Sequence, residues 1–164
     1  MLGRTLVTGR RTNVLIGNRS VIYLPNHVTT LARQRGRLYT PWAEDYFFIA
    51  FNDFPWHRVA DVVIGRVGYD NYLVGLAIQQ SVTVVDATST ILAFHQTDSE
   101  GNMAGHRIDD KEFNYHRIGE FNYETGHTTA IQYVTRFRKA EAYNMSKVVV
   151  AKRTSQGMLN LWPF

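Results

Sequence analysis

The sequence predicts an α/β fold, a mixed sheet with helices packed on it, and three observations lead to that prediction. Apolar and β-branched runs typical of strands, such as "DYFFIAF" and "SKVVVAKR", alternate with helical patterns along the chain. The helical patterns repeat apolar residues at spacings of three and four, as in "YLVGLAIQQ". Turn residues separate the two kinds of segment. Strands that alternate with helices favour an α/β layered domain.

The first third of the chain predicts two strands and one helix. "TLVTGRRTNVLI" predicts a strand with a glycine interruption, and "NHVTTLARQRG" predicts a helix that Asn26 caps and Gly36 ends. "DYFFIAF" predicts a strong strand, closed by the turn-like "NDFPWH". We expect this strand and the later "TILAFHQ" to be central in the sheet.

The stretch "VIGRVGYDNYLVGLAIQQ" predicts a helix from about Tyr69 to Gln80, packed on the sheet. Gly65 and Gly68 permit backbone conformations that other residues resist, which indicates a tight turn into this helix. The apolar residues behind the turn recur at helical spacing and define the buried face: Tyr72, Leu73, Leu76 and Ala77.

The remaining segments predict further strands, a loop and a short helix. "VTVVDATSTILAFHQ" predicts one or two strands broken around Asp86, and "DSEGNMAGH" predicts a loop. "DDKEFNYHRIGE" predicts a short helix that starts at Asp109 or Asp110, and "SKVVVAKR" predicts a late strand.

Length and composition exclude several classes of protein. The 164 residues fit a single domain over 1–164, and the 45% hydrophobic and 20% charged content is typical of a globular protein. No apolar run is long enough for a membrane segment, and the first residues lack the apolar core of a signal peptide. The absence of cysteine excludes disulfides and thiolate metal sites, and it fits either redox compartment, so the localisation stays open.

The charge of the chain gives little support to a nucleic-acid partner. A net charge of +4 is compatible with an anionic ligand. The aromatic residues cluster with apolar neighbours instead of with Arg and Lys, a pattern that indicates core packing more than base stacking. We therefore predict no nucleic-acid partner.

Asp70 is the first candidate for chemistry. It falls in the first turn of the predicted helix, where free backbone N–H groups and the helix dipole favour a carboxylate. A carboxylate at this place can accept the proton of a sugar hydroxyl and so activate it as a nucleophile. The alternative is a capping or salt-bridging aspartate, which the local sequence alone favours. Asn71 could likewise bind a hydroxyl or cap the helix.

The second candidate cluster lies in "FHQTDSEGNMAGH". His95 ends an apolar strand, where an α/β sheet presents side chains to a ligand. Asp98, Glu100 and His106 follow on a glycine-containing loop, and imidazole with carboxylate suits Mn, Zn or Fe. A single ligand or a phosphate contact is the favoured role for His95, and a surface histidine is the alternative.

Five further residues fit patterns that have a structural or a functional interpretation. Glu44 and Asp45 precede the "YFFIAF" strand, where a carboxylate can hold a substrate hydroxyl or a backbone N–H. Asp86 in "VVDATST" is typical of a side chain that locks a turn. Asn18 and Asn144 match the glycosylation pattern, which is frequent by chance. The chain has no Gly-x-x-x-x-Gly-Lys loop, no Gly-x-Gly-x-x-Gly and no Gly-x-Ser-x-Gly.

Taken together, the ordered segments "GRR", "DYFF", "IGRVGYDNYL", "VVDAT" and "AFHQTDSEGN" resemble a family of glycosyltransferase-like proteins of the nucleotide-diphospho-sugar transferase (GT-A) fold. The resemblance covers roughly residues 8 to 106. It implies a nucleotide-sugar donor, a saccharide or glycoconjugate acceptor and a divalent cation, Mn or Mg. Tyr69 and Tyr72 stand where tryptophans are usual, and "HQTDSEGN" lacks a second histidine directly after the first.

The resemblance assigns roles residue by residue. It implies that Asp70 is the base for the acceptor hydroxyl and that Asn71, Asp45 and Tyr69 are substrate-binding neighbours. It implies that His95 is a metal or pyrophosphate contact. We expect Asp70 and His95 to face one shared cleft, with a sugar and a diphosphate between them.

One motif of the resembled fold is absent. The chain contains no Asp-x-Asp, the motif that in this fold holds the cation neutralising the departing nucleotide diphosphate. We interpret the chain as the carboxyl-terminal, acceptor-side half of the fold, lacking the upstream nucleotide-binding half. Two functions follow as expectations: glycosyl transfer, or non-catalytic saccharide binding by a relative that lost the donor site.

Overall fold

The computed structural model describes residues 3–16, 25–97, 109–140 and 145–154, and within them the chain has the predicted α/β fold. The helices are α1 (Pro25–Arg35), α2 (Tyr69–Gln79) and α3 (Phe113–Ile118). The strands are β1 (Thr5–Gly9), β2 (Arg11–Leu15), β3 (Arg37–Leu38), β4 (Tyr46–Phe48), β5 (Thr83–Asp86), β6 (Ala93–Thr97), β7 (Tyr133–Ala140) and β8 (Met145–Lys152).

The described strands form two mixed sheets. The larger has the order β4-β1-β5-β7-β8, in which β1, β5 and β7 are parallel and the two outer strands are antiparallel to their neighbours. The smaller has the order β3-β2-β6, with β2 parallel to β6 and antiparallel to β3. The parallel strands of the larger sheet bring the ends of β1 and β5 side by side.

The predicted glycine interruption is the point at which the chain changes sheets. Arg10 alone separates β1, in the larger sheet, from β2, in the smaller one. A side chain at Gly9 would overlap the Tyr46 hydroxyl and lie 2.9 Å from the backbone nitrogen of Thr88, so this close approach requires glycine. The Arg10 N–H donates to the Thr88 hydroxyl across a distance of 3.0 Å, which fixes the bend.

The helix predicted over 69–80 is confirmed as α2. Gly65 and Gly68 have φ values of +84° and +83°, so both glycines adopt the left-handed conformation that the sequence predicted for this turn. Seven consecutive residues of α2, from Asn71 to Ala77, are buried. The middle of the helix is therefore enclosed on all sides, while Ile78 and Gln79 at its end are exposed.

The core lies between α2 and the larger sheet, and a 3₁₀ turn at Tyr123–Gly126 covers the other side of α2. A Cβ at Gly75 would lie 2.6 Å from Cζ of Phe121, and a Cβ at Gly126 would lie 2.6 Å from the carbonyl carbon of Asn71. The buried cluster is formed by Leu6, Phe54, Tyr72, Leu73, Val74, Leu76, Ala77, Val82, Val84 and Ile131. The turn thus packs against the backbone of α2 at Asn71, near the start of the helix, and against the middle of the helix at Gly75.

The prediction that "DYFFIAF" and "TILAFHQ" form central strands is wrong. β4 is an outer strand of the larger sheet with three residues, and β6 is an outer strand of the smaller sheet. After β4 the chain turns into a 3₁₀ segment at Phe51–Asp53, and Phe48 and Phe51 are 57% and 78% exposed. The aromatic run therefore covers an edge instead of filling the centre.

Other expectations hold only in part. Asn26 is the second residue of α1 and not its cap, while Gly36 follows the helix as predicted. The third helix begins at Phe113, later than Asp109 or Asp110. Strand β7 is not among the predicted elements, and the predicted "DSEGNMAGH" loop lies outside the described residues. In the described part of the chain, no helix has the length and apolar character needed to cross a membrane.

Candidate functional site

Asp70 lies in the first turn of α2 and connects the helix to the segment before β4. The residue preceding the helix is Gly68, which offers no side-chain cap. Asp70 Oδ1 accepts from the backbone nitrogen of Asn71 at 3.0 Å, and Oδ2 accepts from the backbone nitrogen of Glu44 at 3.2 Å. The carboxylate therefore has part of the capping role that the sequence favoured. It also binds the segment before β4 through the backbone nitrogen of Glu44.

Glu44 is buried beside Asp70 and is only 4% exposed. Its Oε2 accepts from Nδ2 of Asn71 at 2.9 Å, and its Oε1 has no hydrogen-bond partner. Asn71 is itself 8% exposed. The side chain of Asn71 thus holds Glu44 inside the protein.

Burial changes the acidity of both carboxyl groups. Removal from water, followed by the negative charge of Asp70, raises the pKa of Glu44 to about 9. Burial also raises the pKa of Asp70, while the N–H donors of Asn71 and Glu44 act in the opposite direction. Adjacent buried carboxyl groups with raised pKa values are typical of sites that handle protons.

Asp86 lies at the end of β5 and forms the base of this polar region. Its Oδ1 accepts from the Thr88 backbone nitrogen at 2.9 Å and from the Thr88 hydroxyl, so the predicted turn-locking role is confirmed. Its Oδ2 pairs with Nη2 of Arg153 at 2.7 Å. The same guanidinium donates to the carbonyl oxygens of Ile131 and Thr128, which ties the turn after β5 to the end of β8.

Asp45 and Tyr69 each contact another side chain of the chain, and Asp45 is exposed. Asp45 forms an ion pair with the guanidinium of Arg11 and accepts from the Arg11 backbone nitrogen at 3.3 Å. The ring of Tyr69 packs edge-on against Phe47, with 6.5 Å between ring centroids. Their predicted contact with substrate stays a prediction.

His95 lies on β6 in the smaller sheet. Its Nδ1 is 3.0 Å from Oδ1 of Asn13, on the neighbouring strand. Burial and the charge of Arg11 lower the pKa of His95, and the charge of Asp45 opposes them. The charge of Asp45 also raises the pKa of Asp70. Asp45 is therefore an electrostatic neighbour of both residues, and the shared cleft stays a prediction.

Among the described residues, those around His95 do not form a site for a divalent cation. One ring nitrogen is engaged by Asn13, and the neighbouring carboxylate of Asp45 is paired with Arg11. No group of three or more histidine and acidic side chains in residues 3–16, 25–97, 109–140 and 145–154 is arranged to hold a metal ion. The other candidates, Asp98, Glu100 and His106, lie outside the described residues, as do Asn18 and Asn144.

Two open clefts on the described surface lie away from these residues. One runs along β1 and β4 and is lined by residues that include Val7, Phe48 and Asp53. The other is formed by residues 110–113, 116 and 117, at α3. Neither cleft includes Asp70, Asp45 or His95 in its lining.

No protein-family model, no curated protein and no solved structure matches this chain. The GT-A resemblance therefore remains a prediction from the sequence motifs.

The sequence pointed to Asp70 but not to the partners that define its environment. Glu44 was one of two adjacent acids before a strand, and nothing local distinguished the buried one from the ion-paired one. Arg153 was not a candidate at all. The local signal for Arg153 is its position at the end of the strand-like run "VVVAK". A basic side chain at the end of a strand can lie close to the ends of neighbouring strands.

Proposed function

We propose that this chain acts in glycosyl transfer and that Asp70 is the general base of the reaction. The donor is a nucleotide-diphosphate sugar and the acceptor is a saccharide or glycoconjugate hydroxyl. The acceptor oxygen forms a bond to the anomeric carbon, the bond from that carbon to the diphosphate oxygen breaks, and the acceptor proton passes to Asp70. The nucleoside diphosphate leaves with the electron pair of the broken bond.

One observation carries the proposal: two buried carboxyl groups, Asp70 and Glu44, adjoin at the start of an enclosed helix, and both have raised pKa values. A general base works best when its pKa approaches the working pH, and burial moves Asp70 in that direction. The two hydrogen bonds that hold the Asp70 carboxylate support the proposal further, because a base must be held within hydrogen-bond reach of the proton that it accepts.

The described residues supply no site for Mn or Mg, so no step of the proposed transfer is assigned to a metal. The absence of Asp-x-Asp from the 164 residues favours a second candidate, a non-catalytic saccharide-binding domain. The two candidates differ in donor binding, since only the transferase requires it.

Thermal unfolding in the presence of UDP-sugars, with and without manganese, separates the candidates. A ligand that binds only the folded state raises the melting temperature, by about 5 °C or more at a hundredfold excess over its dissociation constant. Stabilisation by a UDP-sugar but not by uridine supports the transferase. Stabilisation by free saccharides alone supports the binding domain. No stabilisation by either ligand contradicts both.

A further inference from the structure

Glu44 is anchored at the start of α2 by two separate contacts. Its carboxyl oxygen Oε2 accepts from Asn71 Nδ2 at 2.9 Å, and its backbone nitrogen donates to Asp70 Oδ2 at 3.2 Å. Only 4% of the surface of Glu44 is exposed, so bulk water does not stabilise a charge on its side chain. Its position relative to Asp70 is therefore fixed by the same helix turn.

No cation is paired with Glu44 in the described structure. The ion pairs found there join Arg11 to Asp45, Arg117 to Asp61 and Arg153 to Asp86, so each of these arginines is bound to another carboxylate. The titratable groups that face Glu44 are Asp70 from α2, Asp86 from β5 and Arg10 from the bend after β1. Arg10 interacts more strongly with Asp86 than with Glu44.

A buried carboxylate without a paired cation is strongly unfavourable, and such a group takes up a proton instead. Oε1 of Glu44, which has no partner, is the oxygen that can carry this proton without loss of the Asn71 bond. Two adjacent carboxyl groups also avoid being charged together.

We infer that Glu44 is a neutral acid at neutral pH and is a positioning residue for Asp70. The pair then carries a single negative charge, and this charge lies on Asp70. The neutral neighbour does not repel the charge on Asp70, and the fixed backbone N–H of Glu44 orients the Asp70 carboxylate. Asp70 then remains an ionised proton acceptor in a buried place. The catalytic part of this inference, in which Asp70 accepts a proton from the acceptor hydroxyl, rests on the proposed function.

Carboxyl ¹³C NMR of the full chain from pH 4 to pH 10 tests the charge assignment without donor or acceptor. We expect the Glu44 resonance to titrate above pH 7, well after that of Asp70, and we expect Glu44→Gln to abolish only this late titration. Glu120→Gln, a change in an exposed glutamate, is the matched control and leaves the late titration in place.

The Asp70→Asn variant tests whether Glu44 and Asp70 act as a pair. If they do, the pH at which Glu44 titrates depends on the charge of Asp70, whereas a glutamate with only a structural role would not respond. Loss of the neighbouring charge should lower the pH of the Glu44 titration by roughly one unit. Asp61→Asn, at an exposed carboxylate, should leave that titration unchanged. A Glu44 that titrates below pH 6, or one that does not respond to Asp70→Asn, overturns the inference. If the wild-type chain shows the late titration of Glu44 but binds no UDP-sugar, the proposed function is rejected and the charge assignment stands.

Discussion

At the scale of single residues, Glu44 should make the stability of this protein depend on pH. Its pKa is about 9 in the folded chain, against an ordinary value of 4.5. Between these values the folded state binds a proton that the unfolded state does not, so the free energy of unfolding falls as the pH rises. The stabilisation is complete below about pH 4.5 and is lost as the pH passes 9.

Replacement of Glu44 by Gln isolates this effect. The free energy of unfolding of Glu44→Gln, relative to that of the wild type, should rise by about 1.4 kcal/mol for each pH unit between pH 5 and pH 8. Urea unfolding at four pH values measures the difference, and Glu120→Gln provides the baseline. Parallel pH profiles for wild type and Glu44→Gln would show that Glu44 is charged in the folded state.

Breaking the Asp86–Arg153 ion pair should be costly, because Asp86 is only 2% exposed and a lone charge there would be uncompensated. We expect Arg153→Ala to lower the free energy of unfolding by about 3 kcal/mol or more. Arg117→Ala breaks an exposed pair, with side chains 50% and 87% exposed, and should change it by less than about 1 kcal/mol.

A double variant identifies the cause of the Arg153 effect. Adding Asp86→Asn to Arg153→Ala removes the unpaired charge and should recover part of the lost stability. Urea unfolding at pH 7 measures all four chains. Equal losses for Arg153→Ala and Arg117→Ala would contradict the buried pair as described.

At the scale of elements, the approach of the 123–126 turn to α2 should tolerate no side chain. A Cβ at Gly126 would meet the backbone of Asn71, which cannot move aside as a flexible side chain can. We expect Gly126→Ala to lower the free energy of unfolding by about 3 kcal/mol. Gly3→Ala is the control, because nothing lies within 4 Å of its Cβ position. Similar stability for the two variants would rule out this tight contact.

The sequence predicted α2 well because its signals are local. Two left-handed glycines and the apolar spacing behind them lie within one short stretch, so neither depends on distant partners. The strand at "DYFFIAF" was also predicted, but its place in the sheet was not. Sheet order depends on pairing between distant segments, and aromatic content does not distinguish an edge strand from a central one.

At the scale of the whole molecule, the candidate site depends on contacts that no local pattern encodes. Asn71 and Glu44 are 27 residues apart in sequence, and Arg153 is 67 residues from Asp86. The sequence motifs selected Asp70, while burial of Glu44 and the direction of both pKa shifts follow only from the docking of α2 on the larger sheet. The position of Asp70 at the start of α2 was therefore predictable from local sequence, and the pKa shifts of Asp70 and Glu44 were not.

The proposed role of Asp70 is tested most directly by sugar transfer from a nucleotide-sugar donor, measured for wild type, Asp70→Asn and Asp61→Asn beside their free energies of unfolding. We expect Asp70→Asn to lower the transfer rate at least about a hundredfold. Stability should fall by about 1–3 kcal/mol, because asparagine keeps only one of the two acceptor oxygens that bind the backbone N–H groups of Asn71 and Glu44. Asp61→Asn should match the wild type in both. Equal transfer by wild type and Asp70→Asn, or a large loss of stability with transfer intact, would show that Asp70 is a structural residue and not the general base.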